Sequence, residues 1–376
     1  MKIGKRNKVS TDILSFNIGL IGESGVGKTT TIFKMLEKLC PDGYLFAECG
    51  KEDGEESLEN IVAVKVIDWN SDYDEDKNTV GFRTLVDEIT ENKSTDDWKN
   101  LRTIAWDGID NLWDVAKDEV IRLHNKEHPD KKTKSIRACF GGYMAGEDMA
   151  TKMILDALWE LKQVGVSFIA IGHTKLREQQ DAVSEETFSQ LTTNMSLRDF
   201  TALKTKLHFL GVAYIDRNII REKSKKDPKK TVGRMTGDER RIVFRSDNFS
   251  IDSKSRFADI VPEIPLDADA LIEALQDAIN KEIEKNGISI KDRKKEDDSK
   301  AAKRKAEIAE SKAKRDKEKE LDATITQIKE YFVQKKDAKE LESLKPIARV
   351  AKELGYDSPI AVDNIEDAKK ILEMCV

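Results

Sequence analysis

Cysteine is scarce and unpatterned: Cys40, Cys49, Cys139 and Cys375 stand far apart in 376 residues, with no C-x-x-C pair. No disulfide framework can be read from such spacing, and a reducing cytosol is the expected compartment. Long apolar runs are also missing, and none approaches the ~20 residues of a membrane span. The basic start (Lys2, Lys5, Arg6, Lys8) leads into a stretch interrupted by Asp12, Ser15 and Asn17, not into the apolar core of a signal peptide. The expectation is a soluble cytoplasmic protein without membrane contact.

Charge, by contrast, is abundant. Charged residues make up 36 % of the chain, against about 25 % in an ordinary globular protein. With 39 % apolar residues the chain can build a core, so the excess charge must collect in a solvated part. The net charge of −6 argues against non-specific nucleic-acid binding by the whole surface, although a local basic groove is set by nearby charges alone.

Residues 13–21 read as a strand, and Thr29–Leu39 has helical periodicity that stops before Pro41. Further apolar runs follow at Tyr44–Cys49, Ile61–Trp69, Thr103–Trp106, Val166–Ile171, Gly211–Ile215 and Arg241–Phe244, with helical stretches such as Val80–Glu91 and Asp148–Val164 between them. Strands alternating with helices predict an α/β fold, a mainly parallel sheet flanked by helices. The pattern fades near Pro265. Leu266–Ile283 is amphipathic, Asn286–Ser299 reads as a linker, and Lys300 to about Lys335 is a run of Ala, Lys, Arg and Glu expected to be a solvated helix without chemistry of its own. Ile325, Ile328, Phe332, Leu344, Ile347, Leu354, Ile360, Ile371 and Leu372 restore an apolar pattern at the end. The expected division is a nucleotide-handling domain over residues 1–275, a charged helical linker over 276–320 and a small helical module over 321–376.

Between the first strand and the first helix lies Gly22-Glu23-Ser24-Gly25-Val26-Gly27-Lys28-Thr29, a full match to G-x-x-x-x-G-K-[ST], followed by Thr30. Glycines let the backbone curl so that successive N–H groups point at phosphates, and the helix N-terminus adds a favourable dipole. Lys28 is expected to reach the β- and γ-phosphates and Thr29 to ligate Mg2+. A second Mg2+ ligand should end a neighbouring strand, and Leu101–Trp106 leads directly into Asp107. Gly108 follows, so the general base is not adjacent. Glu48, near the end of its own strand, is the leading candidate, with Glu52 and Asp110 as alternatives. The Asn-Lys-x-Asp element that identifies guanine is missing: Asn125-Lys-Glu-His128 has no Asp and no strand before it. ATP is therefore the expected nucleotide.

Over roughly residues 13–275 this order of elements resembles the RecA-like ATPases, and most of all the phage ATP-binding proteins of that group, which are similar to single-strand annealing ATPases. The resemblance rests on Gly22–Thr29, Leu45-Phe-Ala-Glu48, Asp107, and the strand Ser167-Phe-Ile-Ala-Ile-Gly-His173-Thr174-Lys175. It implies that His173 senses the γ-phosphate and passes its state to a DNA-binding loop. Lys254-Ser-Arg256-Phe257 is similar to the K-x-R pair that ring helicases of this type project into a neighbour's nucleotide site, which implies a homo-oligomer, ring or filament. The loops after the Asp107 and His173 strands would meet single-stranded DNA. They carry Lys131, Lys132, Lys134 and Arg137 in one case, and Lys175, Arg177 and the polar stretch Gln179–Asn194 in the other. Phe140 or Tyr143 is placed to stack on bases. Against DNA at the second loop stand Glu178, Asp181, Glu185 and Glu186.

His124-Asn-Lys-Glu127-His128 fits the H-x-x-E-H zinc pattern, but Pro129 and a lysine cluster follow and a third ligand is missing, so it reads as a helix end. The sequence thus predicts a DNA-stimulated, oligomeric, Mg2+-dependent ATPase of phage recombination or replication, in the cytoplasm of an infected bacterium. The other reading is a slow nucleotide-switched binder that recruits a protein partner through its C-terminal helices. A translocating motor ranks last, since neither a nuclease carboxylate cluster nor a second motor domain is visible.

Overall fold

The computed structural model describes residues 7–50, 57–180, 186–223, 231–245, 251–337 and 344–375. Two compact units divide the chain, Met1–Lys300 and Ala301–Val376. In the first, the strands are β1 (Ile18–Gly22), β2 (Tyr44–Cys49), β3 (Ala63–Asp68), β4 (Thr79–Gly81), β5 (Thr103–Asp107) and β6 (Ser167–Gln180). They continue with β7 (Thr187–Thr193), β8 (Phe209–Lys223), β9 (Thr231–Val243), β10 (Lys254–Ser255) and β11 (Glu263–Pro265). The helices are α1 (Lys28–Leu39), α2 (Phe82–Asn92), α3 (Ile109–Glu127), α4 (Ala145–Gln163), α5 (Leu197–Lys204), α6 (Ala268–Lys285) and the first turns of α7 (Ile290–Asp337).

The strands lie in the order β11-β9-β8-β1-β6-β5-β2-β3-β4, with β10 against β8 and β7 against β6. From β8 to β4 every neighbouring pair is parallel. The antiparallel pairs gather at β9, β10, β11 and β7. Every residue of β1, β2 and β5 is buried, as expected of parallel strands covered on both faces. Alternate residues feed two cores. Leu20, Phe46, Ala105 and Ile169 pack with Ile32 and Leu36 of α1 and Leu275 and Ile279 of α6. Ile21, Leu45, Trp106 and Ala170 pack with Leu85, Trp113 and Ile154 of α2, α3 and α4. By this alternation Glu48, the last residue but one of β2, and Asp107, the last of β5, belong to the face that carries α1.

Several expectations change in detail. Ile13–Ser15 is a 3-10 turn, because Asp12 accepts the Leu14 N–H at 3.1 Å and bends the chain before β1 begins. The polar stretch after His173 is not a loop: β6 runs on to Gln180 and pairs with β7 as an antiparallel ribbon. Asp181 and Glu185, like Glu52, lie outside the described residues. A domain division at 275 falls inside α6, whose Ala278, Ile279 and Ile283 are buried in the α1-side core. The segment read as a linker, 286–299, turns helical from Ile290 onward, and Glu296 and Asp297 hold the N-terminal segment through Lys8 and Thr11.

The second unit has its own small core. Ile328 of α7 packs with Leu344, Ile347 and Ala351 of α8 (Leu344–Glu353), and with Val362 and with Ala368 and Ile371 of α9 (Ile365–Glu373). Ile360 is exposed and Val362 takes the buried place. Among the described residues no helix is long and apolar enough to cross a membrane.

Candidate nucleotide site

The phosphate loop starts where β1 leaves the sheet. At Gly22 a side chain is impossible, since a Cβ would stand 2.5 Å from the Ala213 carbonyl oxygen of β8. Gly27 caps α1 with φ +108°, a conformation open only to glycine. The Lys28 side chain is buried and folds back over the loop, donating to the carbonyls of Gly22 at 3.2 Å and Glu23 at 2.9 Å. Its ammonium therefore lies across the loop's concave side, within reach of an incoming phosphate.

The Thr29 hydroxyl donates to Asp107 Oδ2 at 2.5 Å, and Asp107 Oδ1 accepts the Gly108 N–H at 2.9 Å. A hydroxyl and a carboxylate in contact, both hard oxygen donors at the mouth of a phosphate loop, suit a small divalent cation. Glu48 is buried on β2 with its Cα level with Asp107 on one side and Lys65 on the other. Nothing in the local sequence links Glu48 to Asp107; sheet register brings them together.

His173 ends the apolar half of β6 directly beside Gly22 of β1. Its Nδ1 lies 3.2 Å from Asp110 Oδ2 at the start of α3. Burial works to raise the Asp110 carboxyl, but the His173 hydrogen bond and charge, with further bonds including one to Asn194, outweigh it and hold the carboxyl below its ordinary range. Asp110 is thus engaged with His173.

Two arginines that the sequence did not single out stand on the loop. Arg240 of β9 donates from Nη1 to the Val26 carbonyl at 3.1 Å, and Arg217 of β8 pairs with Glu23 at 2.7 Å. In a chain with 65 Lys and Arg no local signal marks them.

Lys254 and Arg256 lie elsewhere. The β10 pairing puts Lys254 and Ser255 against Leu210 and Phe209, at the start of β8, whereas Gly22 is level with Ala213 and the loop lies beyond it. Lys254 Nζ donates to the Lys204 carbonyl at 2.6 Å and Arg256 to that of Thr205. Both cations thus cap the C-terminus of α5, where the helix dipole favours them. The pair does not reach this chain's own phosphate loop.

Beside them is His208, whose Nδ1 accepts the Asn17 N–H at 3.1 Å. Burial first, then the charges of Lys162, Arg256 and Lys254, push it from an ordinary 6.5 down to about 4. An unfolded chain takes up this proton near pH 6.5 and the folded chain resists until about 4, so stability falls as pH drops through that window. The full cost is about 3 kcal/mol. Thermal melts from pH 7 to 4 should show a shallower decline for His208→Gln than for the wild type.

Of the remaining candidates, Arg177 is engaged by the Thr193 and Met195 carbonyls, and Phe140 is partly buried edge-on against His124. Tyr143 is fully exposed. It sits in the run Phe140–Met144, in which all five residues have positive φ, near exposed Lys131, Lys132, Lys134 and Arg137. His124 uses both ring nitrogens, accepting from the Phe140 N–H and facing the Lys131 carbonyl.

A parallel sheet with helices on both faces, a phosphate loop running from β1 into α1, and a Thr–Asp pair at its mouth define a P-loop nucleoside triphosphatase. The AAA-domain family model matches residues 15–257, more than half of the chain, and the chain belongs to that family of nucleotide-binding ATPases. No curated protein matches it.

Proposed function

We propose that the chain is a Mg2+-dependent ATPase of RecA-like type that works as an oligomer on single-stranded DNA, in phage recombination or replication. The observation that carries this reading is the place of Glu48. The carboxylate stands on the strand next to that of Asp107 and level with it, while β6 with His173 separates β5 from β1. That layout suits a base held one strand away from the metal-binding aspartate.

In this reading Gly22–Thr30 cradles the phosphates of ATP, and Thr29 and Asp107 hold Mg2+, which would offset charge on the β- and γ-oxygens. Glu48 takes a proton from the attacking water, Lys28 stabilises the charge on the transferring group, and ADP leaves in line. His173, tied to Asp110, registers the terminal phosphate at the root of the β6–β7 ribbon. Lys254 and Arg256 serve a neighbouring subunit's site, which agrees with their distance from the loop of their own chain. Positive φ at the non-glycine residues Phe140, Tyr143 and Met144 is a costly backbone shape, which persists where something else requires it. Here it presents Tyr143 beside a basic cluster, as a stacking platform for single-stranded DNA needs.

The deciding experiment is steady-state ATP hydrolysis with and without single-stranded DNA. Several-fold stimulation is expected, declining as salt rises because phosphate contacts release counterions, and weakened by Tyr143→Ala. Turnover indifferent to DNA would overturn the DNA part and direct attention to a protein partner of α8 and α9.

A further inference from the structure

The ribbon β8–β9 runs past the end of β1 and overhangs the phosphate loop. In its register Ile215 stands opposite Arg240 and Arg217 opposite Asp238. Residues 215 and 217 share a face of the strand, and directly opposed residues of an antiparallel pair share it too. Arg217 and Arg240 therefore project from one face, and their contacts with Glu23 and Val26 identify it as the side of the loop.

Their partners differ in kind. Arg240 holds a backbone carbonyl. Because a peptide unit is planar and trans, drawing the Val26 C=O toward Arg240 turns the Gly27 N–H the opposite way, into the loop. Arg217 holds a side chain that carries the same charge as the ligand. Glu23 marks the terminal-phosphate end, since Lys28 Nζ, the group that serves the β- and γ-phosphates, rests 2.9 Å from the Glu23 carbonyl. The ion pair is partly solvated, with side-chain exposures of 40 % for Arg217 and 34 % for Glu23. Such pairs hold weakly and exchange readily for a stronger anion. A triphosphate presents that anion, and a guanidinium binds phosphate oxygens as a fork.

We propose that Arg217 is a cation supplied in cis to the terminal phosphate, held by Glu23 until a triphosphate arrives and then exchanged onto it, while Arg240 is a positioning residue that keeps the loop in its phosphate-binding shape. The inference rests on the nucleotide reading of Gly22–Thr29. It makes the β8–β9 ribbon a reporter of whether ATP or ADP occupies the site, because only the triphosphate offers Arg217 its second partner.

The test is calorimetric titration of the full chain, with magnesium, using ADP and a non-hydrolysable β,γ-imido ATP analogue. Arg217→Ala should leave ADP affinity unchanged and cut the preference for the triphosphate by about tenfold, with Arg217→Lys in between. Arg240→Ala should weaken both nucleotides alike and leave their ratio intact. Glu23→Gln should raise the preference for the triphosphate in the wild type but not in an Arg217→Ala background. A purely structural clip at Glu23 would make Arg217→Ala weaken both nucleotides equally, or neither, and either result overturns the proposal alone. A wild-type chain that binds neither nucleotide, or a Lys28→Ala chain that binds both as tightly as wild type, overturns the nucleotide reading and the proposal with it.

Discussion

Replacing Lys28 by alanine is expected to reduce ATP hydrolysis by at least about 100-fold while leaving the chain folded. The ammonium is buried at the first turn of α1 and spans the loop to the Gly22 and Glu23 carbonyls. In that position it is a positive group standing where the phosphates arrive. Its loss removes charge that acts more strongly on the transferring phosphoryl group than on bound ATP, so turnover should suffer more than affinity. The fold should tolerate the change because α1 is held by Ile32, Met35 and Leu36, all buried, and the loop's curvature comes from its glycines. Steady-state hydrolysis checks the first part and a thermal melt the second. Retained turnover in a folded variant would show that the loop does not hold the reacting nucleotide.

The phosphate loop was legible from sequence because its chemistry needs eight consecutive residues, Gly22–Thr29, and Asp107 because an apolar run ends in it. The parallel centre was legible for a similar reason: β1, β2 and β5 are buried along their whole length and so are written as apolar runs. The outer halves of β6 and β8 were not. Beyond His173 and Ile215, backbone pairing with β7 and β9 orders these strands, and no hydrophobic period is needed to hold them. β4, β10 and β11 are two or three residues long, too short for any period.

Within the site, the illegible part is what register assembles. Arg217 and Arg240 lie on separate strands and meet the loop only because β8 aligns Ala213 with Gly22 and β9 aligns Arg240 with Ile215. Lys254 and Arg256 were visible as a motif, but only the β10 pairing reveals that they lie at the opposite end of β8 from the loop. The choice between Phe140 and Tyr143 likewise required the fold, since two aromatics three residues apart look equivalent until one packs on His124 and the other stands free in solvent.

Glu48→Gln is expected to cut kcat by about 10²–10⁴-fold with KM for ATP close to the wild-type value. Glutamine keeps the shape of the side chain and its place at the end of β2, but it cannot accept the proton of an attacking water. Glu48 is buried level with Asp107 on one side and Lys65 on the other, so the amide fills the same space among the same neighbours. A thermal melt accompanies the kinetics, because a fold kept while turnover falls separates a base from a structural anchor. A slow, stable, nucleotide-binding variant places the proton transfer at Glu48. A destabilised variant that turns over at the wild-type rate makes Glu48 a support for the strand end. The search for the base would then move to Glu52, because Asp110 is already committed to His173.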